Sequence, residues 1–210
     1  GVLVGGGCKI ITTRAVKYAL EREQFKTPIA NFGAIQHKIA EMAIKAYVLE
    51  STNYRIADLI EDWKSSAIEE GLPYQQALLD AAEEYAIECA ISKIYGSECI
   101  DYAVDELVQI HGGFGFSEEY IPARLFRDNR INRIYEGTNE INRLLLVNML
   151  LRRVMKGELD MVGPAWAVQK ELAGMPKMET FEGPYPTESK ALSHFKKILL
   201  IVAGAGAKYQ

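Results

Sequence analysis

Long runs of helical apolar period, broken at only a few points, commit this chain to packed helices. From about residue 8 to 23, Ile11, Ala15, Ala19 and Leu20 recur at helical spacing with polar residues between them. Pro28 breaks that run, and Asn31 is the expected cap of the next. Ile35, Ile39, Met42, Ala43 and Ala46 mark one face, which Leu49, Ile56, Leu59, Ile60 and Trp63 continue. This predicts a helix of roughly thirty residues, a length usual in bundles. Gly71-Leu72-Pro73 ends it. A third helix is expected from Tyr74 to Ile110, with many small apolar positions such as Ala82, Ala86, Ala90 and Ala103 that permit close helix contacts. Gly112 and Gly113 stop it. Glu119 to Tyr135 reads as a short helix and connector with Pro122 in its first turn. Thr138 is placed to cap a last helix striped by Ile141, Leu144, Leu145, Met149 and Leu150. Period-2 alternation is almost absent, so little or no strand is expected. The fold class expected is all-α, an antiparallel four-helix bundle over residues 1–155 plus a C-terminal extension.

The composition changes after Gly157. Pro164, Pro176, Pro184 and Pro186 crowd into a stretch with scattered charge and glycine, so residues 156–187 are expected to be a Pro-rich linker. A helical pattern returns over residues 188–210, read as the truncated start of an additional helical region. Its run Ile198 to Ala203 is apolar enough to leave an exposed face without a partner. The opening GVLVGGGCKIITTRAV has no charged segment ahead of its apolar part and no initiator Met, which suggests a piece of something longer rather than a leader.

Bulk properties remove several classes of function. The net charge of −4 gives no basic face for nucleic acid. No apolar run nears the roughly 18 residues of a membrane span. Cys8, Cys89 and Cys99 show no paired spacing, which argues against a disulfide framework or structural zinc and for small buried side chains in a reducing compartment. His37, His111 and His194 lie far apart, so no metal site is expected.

The chemistry concentrates between Gln109 and Glu140. Glycines on both sides of a basic segment, Arg124 to Arg133, let backbone approach another molecule. Three motifs stand in order. The first is Tyr18-Ala19-Leu20-Glu21-Arg22-Glu23-Gln24-Phe25 with Pro28-Ile29, Phe32-Gly33 and Gln36. The second is Gln109-Ile110-His111-Gly112-Gly113-Phe114-Gly115-Phe116 with Pro122 and Arg127-Asp128. The third is Ile134-Tyr135-Glu136-Gly137-Thr138-Asn139-Glu140-Ile141. Together they resemble the C-terminal helical domain of the acyl-CoA dehydrogenases, flavoenzymes that desaturate fatty acyl thioesters. The Phe32-Gly33 pair and the Pro-rich extension look like the very-long-chain branch.

The resemblance implies α,β-desaturation of a fatty acyl-CoA with FAD as cofactor. Its base falls on Glu136, which would remove the α proton while a hydride leaves the β carbon. A carboxylate can do this only if held in reach and kept partly dry. Gly137 would then let the thioester approach the backbone. Thr138, Asn139 and Glu140 match flavin-contacting positions at a helix start. Gln109, Ile110, His111, Gly112 and Gly113 match a flavin-contacting turn, although paired glycines also end helices. Arg22, Gln24 and Phe25 match a patch that reaches a neighbouring subunit's flavin, with Arg22 suited to its pyrophosphate. Arg127-Asp128 reads as a structural ion pair, and Arg124, Arg130 and Arg133 as a solvated basic face.

By the same resemblance, the partners would be an acyl-CoA substrate, an electron-transferring flavoprotein and further copies in a homo-dimer or homo-tetramer. The setting would be a bacterial cytoplasm or a mitochondrial matrix. The family also carries an N-terminal helical domain and a middle β-domain, so this chain alone is expected to be inactive and to bind FAD weakly or not at all. Two rival readings are an acyl-CoA oxidase of the same fold and a non-enzymatic relative used for assembly.

Overall fold

The computed structural model describes residues 1–174 and 180–206. Pro176 of the expected linker and residues 207–210 of the expected last helix lie outside the described residues. Among the described residues, the regular elements are helices apart from one hairpin of two-residue strands, and the chain divides into two compact units, Gly1–Asn148 and Met149–Gln210.

The first unit is built on α1 (Val2–Glu21), α2 (Gly33–Glu69) and α4 (Ala86–His111), which pack on one another. Helix α3 (Tyr74–Glu84) lies on α2, and α6 (Ile121–Asn129) lies on α4. Met42, Leu49 and Leu107 are wholly enclosed, beside Ile11, Ala15, Ala19, Ala103 and Val104. α1 starts earlier than its period suggests and carries Gly5-Gly6-Gly7 inside it. A Cβ on Gly7 would stand 2.8 Å from Ile100 Cδ1, so the missing side chain sets how closely α1 approaches α4.

Several local expectations change. α2 is 37 residues long and begins after Phe32, not at a cap supplied by Asn31. Asn31 instead ends a 3-10 turn, Ile29–Asn31, and its side-chain amide donates to Thr27 Oγ1 at 3.1 Å. The expected third helix is split at Tyr85 (φ −99°, ψ 23°) into α3 and α4. No proline or glycine marks that break, so nothing in the local sequence signals it. Cys8 and Cys99 are buried as expected, but Cys89 is exposed. Burial, with Cys99 adding to it, pushes the Cys8 thiol up to about 12, which makes it inert. The ion pair near α6 joins Arg133 to Asp101 at 2.8 Å rather than Arg127 to Asp128.

Helix α7 (Asn139–Met155) crosses the division between the units. Ile141, Leu144 and Leu145 of its apolar stripe are exposed. In the second unit, α8 (Val162–Ala173) forms inside the stretch expected to be linker, with Pro164 in its first turn, where no helical N–H is lost. It packs on α9 (Pro186–Gly206), helped by a Lys197–Glu171 pair at 2.6 Å. Ile198, Leu199 and Val202 remain exposed. No described helix is long and apolar enough to cross a membrane.

Candidate functional site

Two regions hold nearly all the motif residues, and they lie toward opposite ends of α4. The first is a cavity of about 800 Å³ at the α4 C-terminus. Arg22, Gln24, Phe25, Ile110, His111, Gly112 and Gly113 all line it. Gln109 does not line it; its side chain is exposed, and its carbonyl accepts from Gly112 N at 3.1 Å.

The backbone at this cavity is bent by specific residues. Gly112 adopts φ 60° and ψ −136°, a region closed to residues with a Cβ. That turn ends α4 and opens the short α5 (Gly113–Phe116) into the cavity wall. Opposite, strands β1 (Glu23–Gln24) and β2 (Thr27–Pro28) form a tight hairpin. Phe25 and Lys26 are its turn, with φ of 53° and 64°. Hairpin turns of this hand favour asparagine and glycine, so the strained turn holds Phe25 outward, 89% exposed. Its ring meets Phe32 edge-on at 6.3 Å. The Arg22 guanidinium lies 5.6 Å from the Phe114 ring centre.

His111 is fixed on three sides. Its ring stacks on Tyr18 at 3.8 Å, the Tyr18 hydroxyl donates to the His111 carbonyl at 3.3 Å, and Nδ1 lies 2.8 Å from the Leu107 carbonyl. Burial pushes its imidazole below the usual histidine range, with that carbonyl contact opposing. The cavity therefore offers a cation, a glycine turn without side chains and flat aromatic faces. That set suits a planar ring system joined to a diphosphate.

The second region is the turn into α7. Glu136 and Gly137 take left-handed backbone in succession, φ 55° and 80°. Such a conformation costs a non-glycine residue about 1–3 kcal/mol. Donors on two helices hold it. Lys93 Nζ on α4 donates to the Gly137 carbonyl at 2.8 Å, and Asn142 Nδ2 on α7 donates to the same oxygen at 2.8 Å. Asn142 also reaches the Glu136 carbonyl at 3.4 Å. A charge-assisted bond is worth about 1.5–3 kcal/mol and a neutral one about 1 kcal/mol, enough together to offset the strain.

Asn139 is wholly buried beneath this turn. Its Oδ1 accepts from Lys93 Nζ at 2.8 Å and its amide donates to Ser97 Oγ at 2.9 Å and Glu98 Oε1 at 3.3 Å. Thr138 caps α7, its Oγ1 accepting from Ile141 N at 3.3 Å. The Glu140 carboxyl is held below the usual range by the backbone N–H of its own first turn and by Thr138. Glu136 and Glu140 are both exposed at the helix start.

The three sequence motifs thus gather into two places. Lys93 and His111 are about 27 Å apart along α4, at about 1.5 Å rise per residue. Sequence reasoning missed Lys93 and Asn142, and it quoted Tyr18 within a motif without giving it a role. Lys93 alone left a trace, as the one Lys or Arg of α4. Among the described residues, no cluster of side chains could hold a metal ion.

Comparison with known proteins shows the family of the chain. Residues 2–151 match the family described as acyl-CoA dehydrogenase, C-terminal domain. A probable acyl-CoA dehydrogenase of Bacillus subtilis (strain 168) is 44% identical over 97% of this chain and 34% of its own length. The mitochondrial very long-chain specific acyl-CoA dehydrogenase of Rattus norvegicus is 42% identical over 68% of this chain and 19% of its own. The crystal structure of a Bacillus anthracis acyl-CoA dehydrogenase complexed with FAD superposes with a TM-score of 0.90 at 46% identity, covering 98% of this chain and 35% of that one. The chain thus spans about a third of the length of the Bacillus relatives.

Proposed function

This chain belongs to the acyl-CoA dehydrogenase family as its C-terminal helical domain, and from that premise we propose that it supplies the base and part of the cofactor cradle of an enzyme that desaturates a fatty acyl-CoA. The observation that carries the reading is the Glu136–Gly137 turn. It is a carboxylate on strained left-handed backbone, clamped by Lys93 and Asn142 at the start of α7. Strain of this kind collects where a side chain must be aimed.

Glu136 takes the α proton onto its carboxylate. Gly137 adds no side chain beside it, so a thioester can lie against the backbone. FAD, when bound, supplies the acceptor for the hydride that leaves the β carbon. The cavity groups fit such a cofactor: Arg22 for a pyrophosphate, Phe25 and Phe114 for a ring face, and the turn at Gly112 and Gly113 for close backbone approach. Thr138 and Glu140 would meet a polar cofactor edge at the α7 N-terminus. Because the two regions stand at opposite ends of α4, they serve one flavin each, the cavity addressing that of a neighbouring subunit. A homo-dimer or homo-tetramer follows. Electrons then pass to an electron-transferring flavoprotein, in a reducing bacterial cytoplasm or mitochondrial matrix.

The test is anaerobic bleaching of the full-length protein's flavin by an acyl-CoA. Glu136→Gln is expected to slow it by about a hundredfold or more, the range of a lost general base. An unchanged rate overturns the assignment. Oxygen uptake during turnover would replace the dehydrogenase reading with an acyl-CoA oxidase.

A further inference from the structure

We propose that Lys93 is the positioning residue for the Glu136 carboxylate: from α4 it pins the backbone of the Glu136–Gly137 turn and so fixes where the base stands. This inference rests on the reading of Glu136 as the base.

Three observations carry it. First, the contact is built rather than casual. Lys93 Nζ bonds the Gly137 carbonyl and Asn139 Oδ1, both at 2.8 Å. Asn139 is in turn locked by Ser97 and Glu98 and is wholly buried. Secondly, side-chain direction at Glu136 depends on carbonyl orientation. With φ of 55° and 80° at consecutive residues, release of the Gly137 carbonyl would let Glu136 return to ordinary backbone and swing its carboxylate away. Thirdly, α4 is the best-anchored helix available, packed on both α1 and α2. A turn tied to it inherits that rigidity.

The charges around Lys93 agree with a role toward Glu136. Burial pushes the Lys93 ammonium below the usual lysine range, and the Glu136 and Glu140 carboxylates oppose that from the turn and from α7. Two neighbouring carboxylates are committed elsewhere: Glu98 on α4 pairs with Arg143 on α7 at 2.6 Å, and Asp101 on α4 pairs with Arg133. Lys93 donates to a backbone oxygen and an amide, so its work is to hold Glu136 and not to react.

The experiment uses the full-length, FAD-loaded protein. Lys93→Met is compared with wild type, Lys93→Arg and Glu136→Gln. Flavin bleaching by saturating acyl-CoA is followed, and binding of a 3-thia acyl-CoA, which has no β hydride to give, is measured alongside. For Lys93→Met the bleaching rate is expected to fall about 100-fold, the cost of a misplaced reacting group. FAD content and 3-thia acyl-CoA binding stay at wild-type values, so the loss falls on the chemical step and not on binding. Lys93→Arg, which keeps a charged donor, recovers most of the rate. A wild-type rate in Lys93→Met, with Glu136→Gln inactive, overturns the role of Lys93 while the base stands. A wild-type rate in Glu136→Gln removes the base and this inference with it. If Lys93→Met accumulates without FAD, Lys93→Leu takes its place, and a wild-type bleaching rate in it, with Glu136→Gln inactive, overturns the proposal.

Discussion

The adjacent glycines at the end of α4 should respond oppositely to the same substitution. Gly112 holds φ 60° and ψ −136°, and a Cβ built on it meets nothing within 4 Å. The cost of Gly112→Ala is therefore backbone strain alone. Strain of that kind is about 1–3 kcal/mol, and about 2–4 °C of Tm is lost per kcal/mol in a chain this long, so a drop of roughly 2–12 °C is expected. Gly113 also faces open space, but its backbone is ordinary and it opens α5. There alanine removes freedom from the unfolded chain and should stabilise by about 0.4–1 kcal/mol. Thermal unfolding of this chain followed by circular dichroism separates the two. Equal losses in both variants, or none in Gly112→Ala, would refute the assignment of the turn to backbone geometry. In the full-length protein Gly113→Ala carries a second readout. If Gly113 is bare so that a cofactor can approach, flavin content falls although the fold is no weaker.

Other outcomes follow from the same contacts. His111 is depressed by burial, so its contribution to stability is present above the ordinary value of 6.5 and is lost as pH falls through the lower folded value; urea midpoints between neutral pH and pH about 5 should fall in wild type and flatten in His111→Gln. Glu106 is buried and pairs with Lys38. Lys38→Met leaves that carboxylate unpaired and, since the lysine is partly exposed, should cost about 1–3 kcal/mol by urea unfolding. Lys9→Met, at the open pair with Glu50, should barely move the midpoint. This chain alone, mixed with FAD and passed through gel filtration, is expected to emerge colourless; a retained flavin absorption band would mean that one copy's surfaces suffice.

The long helices were legible because burial writes a period into the sequence. Ile11, Ala15 and Ala19, or Met42, Ala46 and Leu49, mark core-facing stripes that the structure encloses. The Tyr85 break was not legible, because packing of α3 on α2 and of α4 on α1 sets it, and no local breaker is needed. Likewise α8 was hidden by Pro164, which reads as a breaker unless its place in a first turn is known. Asn31 looked like a cap by residue type, yet Phe32 precedes the helix, and caps depend on backbone position more than on composition.

At the site, glycines and a carboxylate were visible in sequence, but their supports were not. Asn139 appears there as one polar residue in a cofactor motif, whereas the folded chain buries it and spends its hydrogen bonds on Lys93, Ser97 and Glu98. Those three residues lie on α4, more than forty positions earlier, and no spacing rule connects them to the turn. The same helix explains why the motifs separate. α4 carries Lys93 at one end, beneath the Glu136 turn, and Gly112 at the other, beside Arg22 and Phe25. A rigid rod holding two unlike half-sites about 27 Å apart cannot close both around one reacting centre. On the proposed reading each half needs a surface that another part of the protein, or another copy, brings to it, and on α7 after the Glu136 turn Ile141 and Leu144 are exposed.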